Sequence, residues 1–381
     1  MIRLNEPTLF ENEKEFLANC IDTNWVSSNG KYVKKFERYL QKFLNIKYSQ
    51  SCVNGTSALH LALKTLGVKE NDEVLVPTLT FIATINVIKY CNANPVFFDS
   101  DNYFNIDSEK LIKFLNNNTI FKKGYSYNKD TGRIIKSIIL VHVWGNACDI
   151  FDIVKECKKR NIKIIEDASE SLGTYYKTKS NKKKYTGTIG DIGCFSFNGN
   201  KIITSGGGGM IVTSNYKYYL KTKYLSNQSK DNDLTYEHNN IGYNYNLSNL
   251  NAAVGYAQCL NLKKIIKQKN KVRNIYLKKL KNKKNIYLNP TPDYSVNNNW
   301  MNILRFREKK TLKQILNIIS KLNKKNIQAR PVWKLNHLQK EYKSNQKYEI
   351  KNSLHLYYTS LCLPSSSFIT EKQVDYIISN L

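Results

Sequence analysis

The sequence contains no run approaching the ~20 consecutive apolar residues that a membrane-spanning helix needs. Its start, MIRLNEPTLFENEKEF, lacks the basic and apolar regions of a secretory leader, so the chain reads as soluble and cytoplasmic. The eight cysteines include no CxxC pair and no His/Cys cluster at zinc spacing. Most of them, Cys52, Cys91, Cys194 and Cys259 included, sit in apolar runs, so reduced core thiols are expected and metal ligands are not. Acidic residues are scarce: 30 against 59 basic ones leave a formal charge of +29. A basic surface attracts polyanions whatever their sequence. The lysines are dispersed among asparagine, isoleucine and tyrosine along the whole chain, however, with no recognisable nucleic-acid-binding motif, and a nucleic-acid function is set aside. A small phosphorylated substrate would gain from the same positive field. No internal repeat is present.

At 381 residues the chain exceeds the ~250–300 at which single cores stop growing. Two domains are expected, a large one over residues 1–255 with an N-terminal arm, and a smaller α/β one over 256–381. In the first, strands and helices alternate with short links. Glu73–Val76, Val96–Phe98, Ser137–Val143 and Ile162–Glu166 read as strands, and Ala83–Tyr90, Asp107–Leu115 and Ile150–Arg160 as helices. The order predicts a mostly parallel sheet between helices, with ligands gathered at the carboxyl ends of its strands. The polar segment 116–133 interrupts the pattern and reads as an inserted loop or hairpin. In the C-terminal part, helical spacing over Leu260–Leu280, a strand at Trp300–Phe306 and a helix at Thr311–Leu322 precede IQARPVWKLNH.

Chemistry-bearing residues fall at the strand ends. In SCVNGTSALHLALKTLG a polar turn opens a helix, so the N–H groups and hydroxyls of Gly55, Thr56 and Ser57 meet the dipole end that favours a phosphate. As a capping sequence alone that pattern is common. IKIIED ends at Asp167, a carboxylate able to pair with a pyridinium nitrogen. SIILVHVWG carries His142, placed to hydrogen-bond Asp167 or the substrate, or simply to be a satisfied core histidine. Phe81 in PTLTFIAT offers an aromatic face to a flat ligand, with ordinary core packing as the alternative.

The stretch DIGCFSFNGNKIITSGGGGMIVT binds these together. An apolar strand stops at Asn198-Gly199-Asn200 and delivers Lys201; four glycines, Gly206 to Gly209, lead into a second apolar run. A lysine held between buried strands, with small residues admitting something bulky, suits a Schiff-base lysine; a surface hairpin is the plain alternative. A phosphate-binding helix start, a carboxylate for a ring nitrogen, a stacking aromatic and this lysine describe one ligand, pyridoxal 5'-phosphate.

Four motifs, in this order and separation, are NGTSALHLAL, EDASESLG, GDIGCFSFNGNKIITSGGGG and GYNYNLSNLNAAVGYAQ. Over essentially the whole chain they resemble the DegT/DnrJ/StrS group of fold-type-I sugar aminotransferases. WVSSNGKYVKKFE, the YNKDTGR insert and QARPVWK are most similar to the branch serving bacterial nonulosonic-acid, legionaminic-acid and bacillosamine-type pathways. The resemblance implies a large domain built on a mostly parallel, mixed seven-stranded sheet. It implies that Lys201 carries the cofactor as an aldimine, that Asp167 pairs with the ring nitrogen, that Ser196 joins Thr56 and Ser57 at the phosphate, and that Phe81 stacks on the ring. Asn246 would reach the phosphate of a neighbouring subunit, making the active unit a homodimer with shared sites. Glu170 departs from the glutamine or histidine frequent at that position, and stands either at the cofactor's hydroxyl side or at the sugar. Arg330, Lys334 and His337 are placed near the cleft or dimer edge, where the two cations could meet a nucleotide diphosphate. The expected substrate is a UDP-linked 4-keto-6-deoxy N-acetylated hexulose, with glutamate as amino donor. A GDP-linked perosamine-type substrate, a sugar dehydratase with histidine at the lysine position, and a cofactor-binding regulator are the alternatives. Lys201 argues against the dehydratase.

Overall fold

The computed structural model describes residues 1–178 and 182–381. Its centre is an eight-stranded sheet. From one edge the strands are Tyr48–Cys52, Gly209–Thr213, Ile192–Ser196, Lys163–Asp167, Ile135–Val141, Glu73–Pro77, Asn94–Phe98 and Lys347–Tyr348. Gly209–Thr213 runs antiparallel to both neighbours and every other adjacent pair is parallel. The seven expected strands are therefore joined by an eighth from the C-terminal part, where Lys347 and Tyr348 pair with Phe97 and Phe98.

Each central strand is apolar on both faces because helices cover both sides of the sheet. Side chains alternate across it with a period of two: Val74, Val76, Ile139 and Ile165 enter one buried cluster, and Leu75, Ile138, Leu140 and Ile164 enter the other. All eight cysteines are buried in these cores or at their margins. The inserted segment forms a hairpin, Thr119–Lys122 with Tyr125–Asn128. Its turn, Lys123-Gly124, takes two positive φ values, 50° and 78°, which match the twist of the paired strands.

A second, antiparallel sheet orders Ile286–Leu288, Asn302–Phe306, Ser360–Leu363 and Arg330–Pro331. Helices Leu262–Leu280, Leu312–Lys324 and Glu371–Ser379 supply residues to its separate core. The expected division at 255/256 falls inside the helix Asn249–Leu260. The chain also crosses it in both directions. Ile2 bridges to Ile327 and Leu4 N donates to Gln328 Oε1 (2.8 Å), while Lys347–Tyr348 returns to the large sheet. No helix among the described residues is long and apolar enough to cross a membrane.

Candidate active site

A cavity of about 560 Å³ opens at the carboxyl ends of the parallel strands, with the second sheet as its far wall. Thr56, Phe81, Asp167, Glu170, Ser196 and Lys201, expected from sequence, line it together with Gly55. From the C-terminal part come Trp300, Arg330 and Trp333.

The helix Gly55–Thr65 starts against the cavity. Asn54 caps it, its Oδ1 accepting from Ser57 N (2.7 Å), while Asn54 O accepts from Ala58 N. Gly55 and Thr56, whose N–H groups lie before any helical acceptor, both line the cavity. Ser196 closes over them: a Cβ on Gly55 would stand 2.8 Å from Ser196 Cβ, so only glycine permits this approach. Ser57, expected beside them, stands apart. Its N–H is consumed by the Asn54 cap, its residue is buried, and it does not line the cavity.

Asp167 ends its strand facing the cavity. Its Oδ2 accepts from Thr84 Oγ1 (2.8 Å) and its Oδ1 from Ser169 N (3.1 Å), which fixes the carboxylate without cancelling its charge. The adjacent Glu166 points to the other face of the sheet. There its carboxylate accepts from Gly187 N (2.8 Å), Ile189 N (2.6 Å) and Gly190 N (2.6 Å), pinning the loop that leads into strand Ile192–Ser196. His142 belongs to that knot rather than to the site. Its Nδ1 accepts from Cys148 N (3.0 Å), which leaves the proton on Nε2, 2.9 Å from Glu166 Oε2. The expectation that His142 meets Asp167 or the substrate is overturned by strand alternation: Val141 faces the cavity, and His142 is fully buried on the opposite side.

Lys201 leaves the turn after Ile192–Ser196, with its N–H donating to Asn198 O (3.0 Å). Its Nζ lies 3.6 Å from Glu170 Oε1 and 4.4 Å from the centre of the Trp300 ring. Glu170 Oε2 accepts from Trp144 N (2.8 Å). Burial pushes the Glu170 carboxyl up to about 7, against the opposing charge of Lys201 and the Trp144 N–H. Trp144 takes φ 58°, a left-handed conformation costly for so bulky a residue, and thereby aims its N–H at Glu170. Its ring stacks on Trp333, with centres 3.9 Å apart, and faces Trp300 at 5.9 Å. Phe81, half exposed, closes the row 6.0 Å from Trp333.

Arg330 lines the cavity from an exposed edge strand, whereas Lys334 is exposed and outside it. His337 is also outside. Its Nδ1 pairs with Thr78 Oγ1 at 2.6 Å, its own N–H donates to that oxygen at 3.3 Å, and burial lowers its pKa. It fastens the segment after Arg330–Pro331 to the end of Glu73–Pro77. Asn246 does not line this cavity. Its side chain accepts from Gln50 Nε2 (3.1 Å) and donates to Asn227 Oδ1 (3.2 Å). The following helix is capped by Ser248 instead. Thr84, Trp144 and Trp300 were missed. The strand-end rule that found Phe81 also covers Trp144, two residues past His142, and three of the four tryptophans line the cavity.

The model of the DegT/DnrJ/EryC1/StrS aminotransferase family matches residues 7–381. The chain is 35% identical over 382 residues to a GDP-perosamine synthase of Escherichia coli O157:H7, covering 100% of this chain and 97% of that one. It is 31% identical over 283 residues to a UDP-4-amino-4,6-dideoxy-N-acetyl-beta-L-altrosamine transaminase of Campylobacter jejuni, covering 72% and 69%. Among solved structures, Helicobacter pylori PseC, an aminotransferase involved in pseudoaminic acid biosynthesis, superposes with a TM-score of 0.86 at 23% identity, covering 100% and 97%; this likeness speaks to the fold. The chain belongs to the DegT/DnrJ/EryC1/StrS aminotransferase family, and is a pyridoxal-phosphate-dependent sugar aminotransferase of fold type I.

Proposed function

We propose that the enzyme moves an amino group from glutamate to the C4 ketone of a 4-keto-6-deoxy hexose carried on a nucleoside diphosphate. The observation that carries this reading is the meeting of a lysine amine, a fixed carboxylate and a free helix start in one cavity walled by aromatic rings. The donor set fits pyridoxal phosphate. Gly55 and Thr56 N–H with the hydroxyls of Thr56 and Ser196 suit its phosphate, Asp167 its ring nitrogen, Phe81 its ring face, and Lys201 its aldehyde. When bound, that group supplies an electron sink for charge released at the carbon that loses a proton. Nζ of Lys201, once free, would take the proton from the donor's α-carbon in the first half-reaction and would deliver a proton to C4 of the sugar in the second. Glu170, poised near neutrality and 3.6 Å away, balances the charge that Nζ gains. Arg330, at the rim, suits a substrate diphosphate.

Guanosine diphosphate is the carrier that the full-length perosamine-type relative supports. The uridine carrier and N-acetyl group that the family resemblance implies form the second reading, supported by the altrosamine transaminase relative. Incubation of the holoenzyme and glutamate with GDP- and UDP-linked 4-keto sugars, read by mass and NMR, separates them. The 4-amino product is expected from the GDP-linked 4-keto-6-deoxy sugar. Turnover confined to the UDP sugar selects the second reading, and no amine from any substrate contradicts both.

The active unit is proposed to be a homodimer in which Asn246 serves the partner's phosphate. Its position outside its own cavity supports this, as do the exposed apolar residues Leu234, Tyr236 and Ile241 in the preceding loop, which a second copy would cover. Mixing inactive Lys201→Ala chains with inactive chains carrying Asn246→Trp should restore activity in hybrid dimers. No recovery despite demonstrated subunit exchange contradicts a shared site.

Glu170 gives a pH signature. With its carboxyl at about 7 against an ordinary 4.5, the folded protein holds a proton in that window which the unfolded chain has released. Stability therefore falls as pH rises through the window. Cofactor-free Glu170→Gln should lack that fall, gaining on the order of 3 kcal/mol on wild type from about pH 4.5 to about pH 8 in urea unfolding. Parallel stability curves would contradict the assignment.

A further inference from the structure

A second lysine, outside the cavity, is buried. Lys269, on the helix Leu262–Leu280, is 3% exposed, and no carboxylate among the described residues lies within ion-pair distance of its Nζ. Its ammonium instead donates to three oxygens from three separate segments: Asn5 Oδ1 (2.7 Å), Trp300 O (3.2 Å) and Ser365 O (2.6 Å). Burying a lone cation is costly, so its three donors are matched by three acceptors. Burial lowers its pKa to about 7.

Two of those partners converge again on one atom. Asn5 Nδ2 (2.6 Å) and Trp300 Nε1 (2.7 Å) both donate to the carbonyl of Asn200, the residue immediately before Lys201. The Trp300 ring then lies under Lys201 Nζ. The third partner, Ser365, donates its N–H to Leu4 O (2.6 Å), and Leu4 lines the cavity. One ammonium thus holds the N-terminal arm, the entry to strand Asn302–Phe306 and the exit of strand Ser360–Leu363 around the peptide that presents Lys201.

We propose that Lys269 is a positioning residue for Lys201, acting by holding Asn5 and Trp300 on the Asn200 carbonyl. This rests on the reading of Lys201 as the amine that binds the cofactor. Without the ammonium, two buried carbonyls and the Asn5 side chain lose a donor, and the two groups that donate to the Asn200 carbonyl lose their shared support, while Ile2 and Leu4 keep the arm attached. A reactive nitrogen displaced by even a fraction of an ångström reacts more slowly, since such steps depend on near-attack geometry.

The test measures how fast cofactor-free protein captures pyridoxal phosphate, by absorbance, and which peptide borohydride then labels, with thermal melting as a separate record of folding. Lys269→Met, Asn5→Ala and Trp300→Phe each cut the path at a different point, and the last keeps an aromatic ring beneath Lys201. Each should slow capture about tenfold while the label stays on Lys201. Lys269→Met with Asn5→Ala should be less than additive, because both act through the Asn200 carbonyl. If Lys269→Met fails to fold, the other two variants decide. Capture at the wild-type rate, with only the melting temperature lowered, overturns the positioning role. A wild-type label on a lysine other than Lys201 overturns the reading it rests on and the proposal together.

Discussion

The two-residue period of strand Lys163–Asp167 sends neighbouring carboxylates to opposite faces of the sheet, and the site depends on that division. Glu166 goes below, where three backbone N–H groups and His142 consume it, fastening the loop 187–190 that leads into the next strand. Asp167 goes above, where a hydroxyl and one N–H orient it toward the cavity. One carboxylate organises the strand that delivers Lys201, and the other faces the cavity that Lys201 enters. A shift of pairing register by one residue would exchange them.

Much of this was legible because strand ends in a parallel sheet converge. Thr56, Phe81, Asp167 and the Ser196–Lys201 stretch lie far apart in sequence but each sits at or just after the end of an apolar run, and the topology alone brings them to one edge. Two expectations failed for local reasons: Ser57 lost its N–H to the Asn54 cap, and His142 fell on the wrong face by one residue. His337 stays near the cleft, but Thr78 recruits it to fasten two segments. A strand pattern gives the face only when its end is known to the residue, and a polar side chain near a cleft is as readily used for fastening as for binding. The three cavity tryptophans were illegible as a group because they come from distant segments and meet only through packing.

The network around Asn200 extends the same logic to the second sheet. Nothing in the pattern LKKIIKQKNKVRNIY distinguishes Lys269 from the solvated lysines around it. Its burial follows from the helix face it occupies, together with Ile265, Val272 and Tyr276. In a chain with 59 basic residues, one desolvated ammonium that bridges arm, sheet and reactive turn differs in kind from a diffuse positive surface. The diffuse charge suits attraction of an anionic nucleotide sugar; the buried one shapes the site.

In the proposed reaction Lys201 alternates between binding the cofactor and standing free as a proton carrier. The most direct measurement is borohydride reduction of the holoenzyme before and after saturation with glutamate, with peptide mapping and assay of 2-oxoglutarate. Label on the Lys201 peptide before glutamate, its loss afterwards, and one 2-oxoglutarate released per site are the predicted results. Label that persists on Lys201 without 2-oxoglutarate release would contradict transamination at this site.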